Sequence, residues 1–177
     1  MEEVAKRYAH AFFEGNGEIA GLLEDELGQI WAQITARHDL EQILIHPEVE
    51  MAAKKAVLND LTDDAAPQTR RILNLLLNHK RLELLGDILT VFRRLRLAAQ
   101  GEIEVQVESV LAVDPTVRER IEQLVGKMTG LKPVIAESIN PDLLGGIRLG
   151  FDDVLLDGSA RKSLTECVEI IRGKKGR

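Results

Sequence analysis

The chain has 177 residues, of which 45% are hydrophobic, 29% charged and 3% aromatic. At about 150 residues per domain this is one domain or two small ones, with apolar content enough for a core and too few rings for the stacking platforms of single-stranded nucleic-acid binders. The 29 acidic against 23 basic side chains give a net charge of −6, which disfavours non-specific binding to phosphate backbones, and the lone Cys167 can make neither an internal disulfide nor a metal site by itself.

Residues 1–100 read as helices throughout. Val4, Tyr8, Ala11 and Phe12 recur at helical spacing, and Gly15-Asn16-Gly17 should stop the first helix. Ala5, Ala9 and Phe13 turn onto a second side of it, where small alanines would let another helix approach. A second helix carries the stripe Ile19, Leu22, Leu23, Leu27, Ile30, Trp31 and Ile34. A short segment from Leu40 to Ile45 ends at His46-Pro47, since a residue before proline avoids the helical region. Met51 to Leu61, Gln68 to Asn78 and Leu82 to Ala99 complete six helices, joined by short loops that favour antiparallel packing in a bundle.

At Gly101 the apolar period changes from that of a helix to that of a strand. Ile103, Val105 and Val107 alternate with Glu102, Glu104, Gln106 and Glu108. Asp114-Pro115 opens a helix whose expected buried stripe is Ile121, Leu124, Val125 and Met128, and Gly130 ends it. Val134 to Ile139 reads as a strand. Leu144 to Leu149 and Val154 to Leu156 read as a hairpin turning at Phe151-Asp152-Asp153. Asp157-Gly158 turns the chain, Ser159 caps a last helix bearing Leu164, Cys167, Val168 and Ile171, and the basic tail from Gly173 to Arg177 is expected to fray. The expected fold is therefore mainly α: a six-helix bundle over residues 1–100, then a small α+β domain over 101–177.

Catalytic and metal chemistry find little support. His10, His38, His46 and His79 lie on four segments without metal-ligand spacing, and Cys167 falls on an apolar stripe. The run Gly145-Gly146-Ile147-Arg148-Leu149-Gly150 lacks the spacing of a phosphate loop, and a glycine pair inside a strand marks a bulge or close backbone approach. Asp152, Asp153 and Asp157 miss the calcium-loop pattern and suit turns. Arg93-Arg94-Leu95-Arg96 reads as a solvated face. No enzyme activity and no cofactor are expected. The opening Met1-Glu2-Glu3 has acids where a targeting peptide needs bases, and no run of about 18 apolar residues offers a membrane span.

An apolar excess on two helices is more informative. With Ile72 at 0° and roughly 100° per residue, Leu76, Leu73 and Leu77 fall near 40°, 100° and 140°, a core arc, whereas Leu75 falls near 300°, beside Arg71 and Asn78. Either Leu75 anchors a partner helix with polar neighbours fixing its register, or the fifth helix is buried on more than one side. Tyr8 on the first helix has the same two readings, groove residue or core aromatic with its hydroxyl at the rim.

The run Tyr8-Ala9-His10-Ala11-Phe12-Phe13-Glu14 resembles the opening YAxALF motif of the delta subunit of F-type ATP synthases, whose mitochondrial relative confers oligomycin sensitivity. His46-Pro47, Arg81-Leu82 and Val107-Glu108-Ser109 fall where that family places its HP pair, RL pair and V-x-S strand. The most specific block is Leu143-Leu144-Gly145-Gly146-Ile147 followed by Asp157-Gly158-Ser159, Arg161 and Leu164, similar to the signature (I/L)GGI…DGSxRxxL. The ordered set covers essentially the whole chain. Two departures are the hairpin, where Asp152-Asp153 replaces the usual Gly-Asp, and Phe12 as second residue of Ala-Leu-Phe.

The resemblance implies a non-catalytic stator subunit of the peripheral stalk, linking the catalytic head to the b-subunit stalk during proton-driven ATP synthesis. It implies that the N-terminal domain binds the N-terminal helix of an alpha subunit through its first and fifth helices, and that the C-terminal domain meets the b subunits. Carried over to this chain, the groove comprises Tyr8, Ala11, Arg71, Leu75 and Asn78. Gly145, Gly146, Asp157, Gly158 and Ser159 are assigned to backbone geometry. The expected location is the cytoplasmic face of a bacterial inner membrane, with membrane contact only through the complex. The alternative, a helical nucleic-acid-associated regulatory factor, needs a basic sheet face with aromatics, whereas the first strand carries Glu102, Glu104 and Glu108.

Overall fold

A computed structural model describes residues 2–143, 145–152 and 154–158, and the chain divides into two compact units at Arg96 and Leu97. The expected cap Ser159 and the last helix with Cys167 lie outside the described residues.

The first unit is helical: α1 (Glu2–Asn16), α2 (Ala20–Ala36), α3 (His38–Ile45), α4 (Met51–Leu61), α5 (Pro67–Asn78) and α6, which runs from Leu85 to Ala99. One 3-10 turn, Gly17–Ile19, joins α1 to α2, and another, Leu82–Leu84, leads into α6. The glycines at 15 and 17 thus redirect the chain by a tight turn and leave almost no loop. His46 ends α3 in an extended conformation (φ −61°, ψ 128°), as the following proline requires. The core gathers Leu23, Leu27, Ile30 and Ile34 of α2, Leu44, Leu58, four residues of α5 and Leu85, Ile88 and Phe92 of α6.

Two expectations for this core need correction. Leu22, assigned to the α2 stripe, is 50% exposed, and Ala20 is buried instead. On α1 it is Ala5 and Ala9 that are fully buried with Phe12, while Val4, Tyr8 and Phe13 pack at the margin and Ala11 faces solvent. Leu22 stands about 100° round the helix from Leu23, off the arc that Ala20 shares with Leu27, Ile30 and Ile34, and on α1 a close helix–helix approach selects small side chains at its centre and leaves larger ones at the rim.

Helix α5 has an unusual N-terminus. Its N-cap position is Ala66, which offers no capping side chain, and Pro67 follows at the first turn. The acceptor comes from α2: the Glu26 carboxylate accepts the Ala66 N–H at 3.1 and 3.2 Å and a short bond from the Thr69 hydroxyl. A carboxylate there also complements the helix dipole. At the other end Lys80 adopts φ 56° and its N–H donates to Leu77 O at 3.0 Å, while the Arg81 N–H donates to Leu76 O at 2.8 Å. This is a Schellman ending with a lysine at its left-handed position.

The second unit holds a four-stranded sheet of β1 (Glu102–Ser109), β2 (Lys132–Ile139), β3 (Ile147–Phe151) and β4 (Val154–Asp157), in the order β2-β1-β3-β4. Helix α7 (Pro115–Thr129) connects β1 to its parallel neighbour β2 over the register Glu102↔Lys132 to Ser109↔Ile139, and β3 and β4 form an antiparallel hairpin. Ile103, Val105 and Val107 of β1 pack with Leu149, Phe151 and the α7 residues Ile121 and Val125. Leu124 and Met128, expected in the α7 stripe, are exposed. Only side chains one turn apart on the sheet-facing line reach the core, and those flanking it do not. The glycine pair also departs from expectation. It precedes β3 instead of lying within a strand, in a bend with φ 143° at Gly145 and 82° at Gly146 that side chains rarely adopt. Phe151 pairs with Val154, so it belongs to β3 and the hairpin turns after it, with Asp152 at φ 47°.

Candidate functional site

The proposed groove residues lie on two helices whose other faces are committed to one core. On α5, Thr69, Ile72, Leu73, Leu76 and Leu77 are buried. Leu75, off that arc, is 39% exposed, and Arg71 and Asn78 beside it are exposed. Its backbone carbonyl receives the His79 N–H at 3.1 Å, so the residue is fixed in regular helix while its side chain faces outward. Of the two readings open for Leu75, no second face of the bundle encloses it among the described residues.

On α1, Tyr8 is half-buried against the core margin, its ring 5.7 Å from that of Phe12, and Ala11 is exposed. Tyr8 thus combines an apolar body held by the core with an exposed part, as an amphipathic rim residue does. Both helices contribute to the same hydrophobic cluster, α1 through Ala5, Ala9 and Phe12 and α5 through Ile72 and Leu76. On α5 the exposed set is apolar at Leu75 and hydrogen-bonding at Arg71 and Asn78, and on α1 Ala11 is small and exposed and Tyr8 aromatic and half-buried.

Of the motif residues of the second unit that are described, Gly145, Gly146 and Gly158 meet demands of the backbone, whereas Asp157, expected to turn the chain, ends β4 and uses its carboxylate. The Gly158 N–H donates to Ile147 O at 3.0 Å, and a Cβ on Gly158 would stand 3.3 Å from that same oxygen. Asp157 pairs with Arg148 at 3.6 Å, and Arg148 in turn donates to Glu108 at 3.1 Å, which also accepts from Asn140 at 3.1 Å. This ladder of alternating charge crosses β1, β3 and β4 on one sheet face. Ion pairs link Lys132 to Glu102 at 2.8 Å and Arg118 to Glu137, and the Glu102 carboxylate raises the Lys132 ammonium above its ordinary value through that hydrogen bond. The face is charge-paired and carries no aromatic ring on β1, unlike an RNA-reading sheet.

The histidines His10, His38, His46 and His79 are exposed, His38 and His46 at the two ends of α3, and among the described residues no group of three or more His, Cys, Asp or Glu side chains is placed to hold a metal. Sequence reasoning missed Glu26, which sets the start of α5. The available signal was Ala66-Pro67, a helix start with no capping side chain of its own.

Residues 4–170 match the family described as ATP synthase delta (OSCP) subunit. The ATP synthase subunit delta of Carboxydothermus hydrogenoformans is 31% identical over 172 residues, covering 96% of this chain and 97% of its own. That of Magnetococcus marinus is 30% identical over 174 residues, covering 96% and 95%. A chain of the mitochondrial ATP synthase hexamer of Toxoplasma gondii shares the fold at a TM-score of 0.71 and 15% identity, over 94% of this chain and 96% of that one. A nucleic-acid-associated factor has no support among these relatives. The chain belongs to the ATP synthase delta (OSCP) subunit family, a subunit of the peripheral stalk of the F-type enzyme.

Proposed function

We propose that the helical unit grips the N-terminal helix of an alpha subunit across α1 and α5, through Tyr8, Ala11, Arg71, Leu75 and Asn78, while the α+β unit meets the b subunits of the stalk. The role is mechanical and not catalytic: the subunit holds the head still against rotor torque. Its place is peripheral, on the cytoplasmic face of the membrane, reached through the complex. No helix among the described residues is long and apolar enough to cross a membrane, in keeping with that place.

The observation that carries this reading is Leu75, a leucine 39% exposed on a helix whose other apolar side chains are buried, flanked by exposed Arg71 and Asn78. A stator needs slow dissociation, and affinity differences among related complexes lie mostly in the off-rate. A nanomolar grip is about −12 kcal/mol. Each apolar anchor contributes roughly 1.5–3 kcal/mol before the costs of association, so losing one is felt.

Calorimetric titration of the full chain with a synthetic alpha-subunit N-terminal peptide tests the proposal. Leu75→Asp should weaken binding at least tenfold, with the far-UV circular dichroism and melting temperature of the wild type retained. A variant that binds as the wild type removes Leu75 from the interface. A variant that unfolds makes Leu75 a core residue.

A further inference from the structure

A cavity of about 510 Å³ opens beside the turn that follows α3, away from Leu75. Leu44, Pro47, Met51, Leu77 and Leu82 give it apolar walls. Its polar lining is Lys54, Lys80 and Glu83. Lys54, on the inner side of α4, is only 7% exposed, and its ammonium makes no hydrogen bond or ion pair with any described residue. The stem is enclosed while the ammonium itself still reaches solvent, as in a snorkelling lysine. With the stem enclosed by the bundle, the cavity that Lys54 lines is the outlet left to its head group.

Lys80 adds a second observation. It holds the left-handed position that ends α5, at φ 56°, where glycine is favoured and a lysine costs stability. Lys80 lines the same cavity and is exposed. Lys54 and Lys80 against Glu83 leave one net positive charge, and none of the three forms an ion pair with a described residue.

We propose that this cavity is a binding site for a small amphipathic monocarboxylate, its carboxylate against Lys54 and its apolar body along Met51, Leu77 and Leu82. The volume lies within the range of small-ligand sites. Apolar walls with one ammonium, unpaired among the described residues and carried on a buried stem, suit a single negative charge on a hydrocarbon body. A phosphate group would need several convergent donors, which this lining does not supply. The inference is independent of the alpha-helix groove, because its readout involves neither α1 nor Leu75.

Decanoate is the probe, titrated into the full chain and followed by methyl NMR. Saturable shifts confined to Met51, Leu77 and Leu82, with decanol at least tenfold weaker, are expected. Lys54→Met, which keeps length and apolar bulk, should reduce decanoate affinity at least tenfold and leave decanol unchanged. Equal affinity for decanoate and decanol would mean an apolar crevice with a hydrated lysine, and overturns the proposal. So does the absence of saturation, or tighter binding of acetyl-Leu-Glu-Leu-amide than of decanoate, which would make the occupant a protein segment. Should Lys54→Met fail to fold, the decanoate-to-decanol ratio in the wild type decides the matter by itself.

Discussion

At Gly86, on the first turn of α6, a Cβ would stand 3.0 Å from Trp31 Nε1 and 3.3 Å from its Cε2. The indole of α2 therefore lies directly on the α6 backbone, and it gives way only by shifting a few tenths of an ångström. Gly86→Ala should cost about 1 kcal/mol, the strain of a mildly overpacked contact partly offset by the better helix former. Urea unfolding measures that cost, and the emission of the lone Trp31 should shift with it. Trp31 sits on the α2–α6 contact, and so calorimetry is the better monitor of peptide binding on α1 and α5. Residue-scale burial was the least legible property of the sequence. Leucine at 22 and alanine at 20 differ in the expected direction on any hydropathy scale, yet the alanine is inside, because it shares the arc of Leu23, Leu27, Ile30 and Ile34 and Leu22 stands about 100° off it, which hydropathy by itself does not record.

Between elements, the contact with most bearing on the groove joins α2 to the start of α5. Glu26 supplies the acceptor that Ala66 lacks, and α5 carries Leu75 at a position measured from that start. Glu26→Ala removes the acceptor for two donors, so a loss of about 1–2 kcal/mol is expected by chemical denaturation. It should also weaken alpha-peptide binding, whereas Glu26→Gln, which keeps an acceptor oxygen, should retain most of both. Helix α7 is capped from within: Asp114 accepts from the Thr116 hydroxyl and N–H at 2.6 and 2.8 Å, and those hydrogen bonds, the hydroxyl's first, hold its carboxyl below the ordinary range. Folding favours the ionised form. The contribution is thus full above roughly pH 4, the unfolded carboxyl value, and is lost as pH falls through the lower folded one. Thr116→Ala should raise the Asp114 value toward the ordinary range in a carbon-detected NMR titration. Strong periods made the elements themselves legible: α4 runs from Met51 to Leu61 and β1 alternates through Val107, both as their apolar spacing indicates. The 3-10 turns and the glycine bend before β3 were not, since a tight turn leaves no periodic signal. Ala11 entered as a groove candidate by family resemblance, and Tyr8 stayed open between groove and core until the resemblance was added. For Leu75, with Arg71 and Asn78 beside it, helical angle led to the same residues, because an off-arc leucine is a feature of a groove that periodicity can expose.

Among the described residues of the molecule, buried apolar side chains form two clusters, one drawn from Ala5 to Phe92 and the other from Ile103 to Phe151. Each unit thus has its own core, the condition for folding alone. A fragment ending at Gly101 should keep a cooperative helical melt and the full chain's affinity for the alpha peptide, measured by circular dichroism and calorimetry. Loss of either would show that the second unit completes the first. The order of the sheet has a consequence for a subunit that transmits force. The chain enters the sheet at the first residue of β1, a strand bonded to β2 on one side over eight register pairs and to β3 on the other. Tension at Gly101 directed along the axis of β1 loads those bonds together in shear. A strand at the sheet edge, pulled across its axis, would instead peel away one pair at a time.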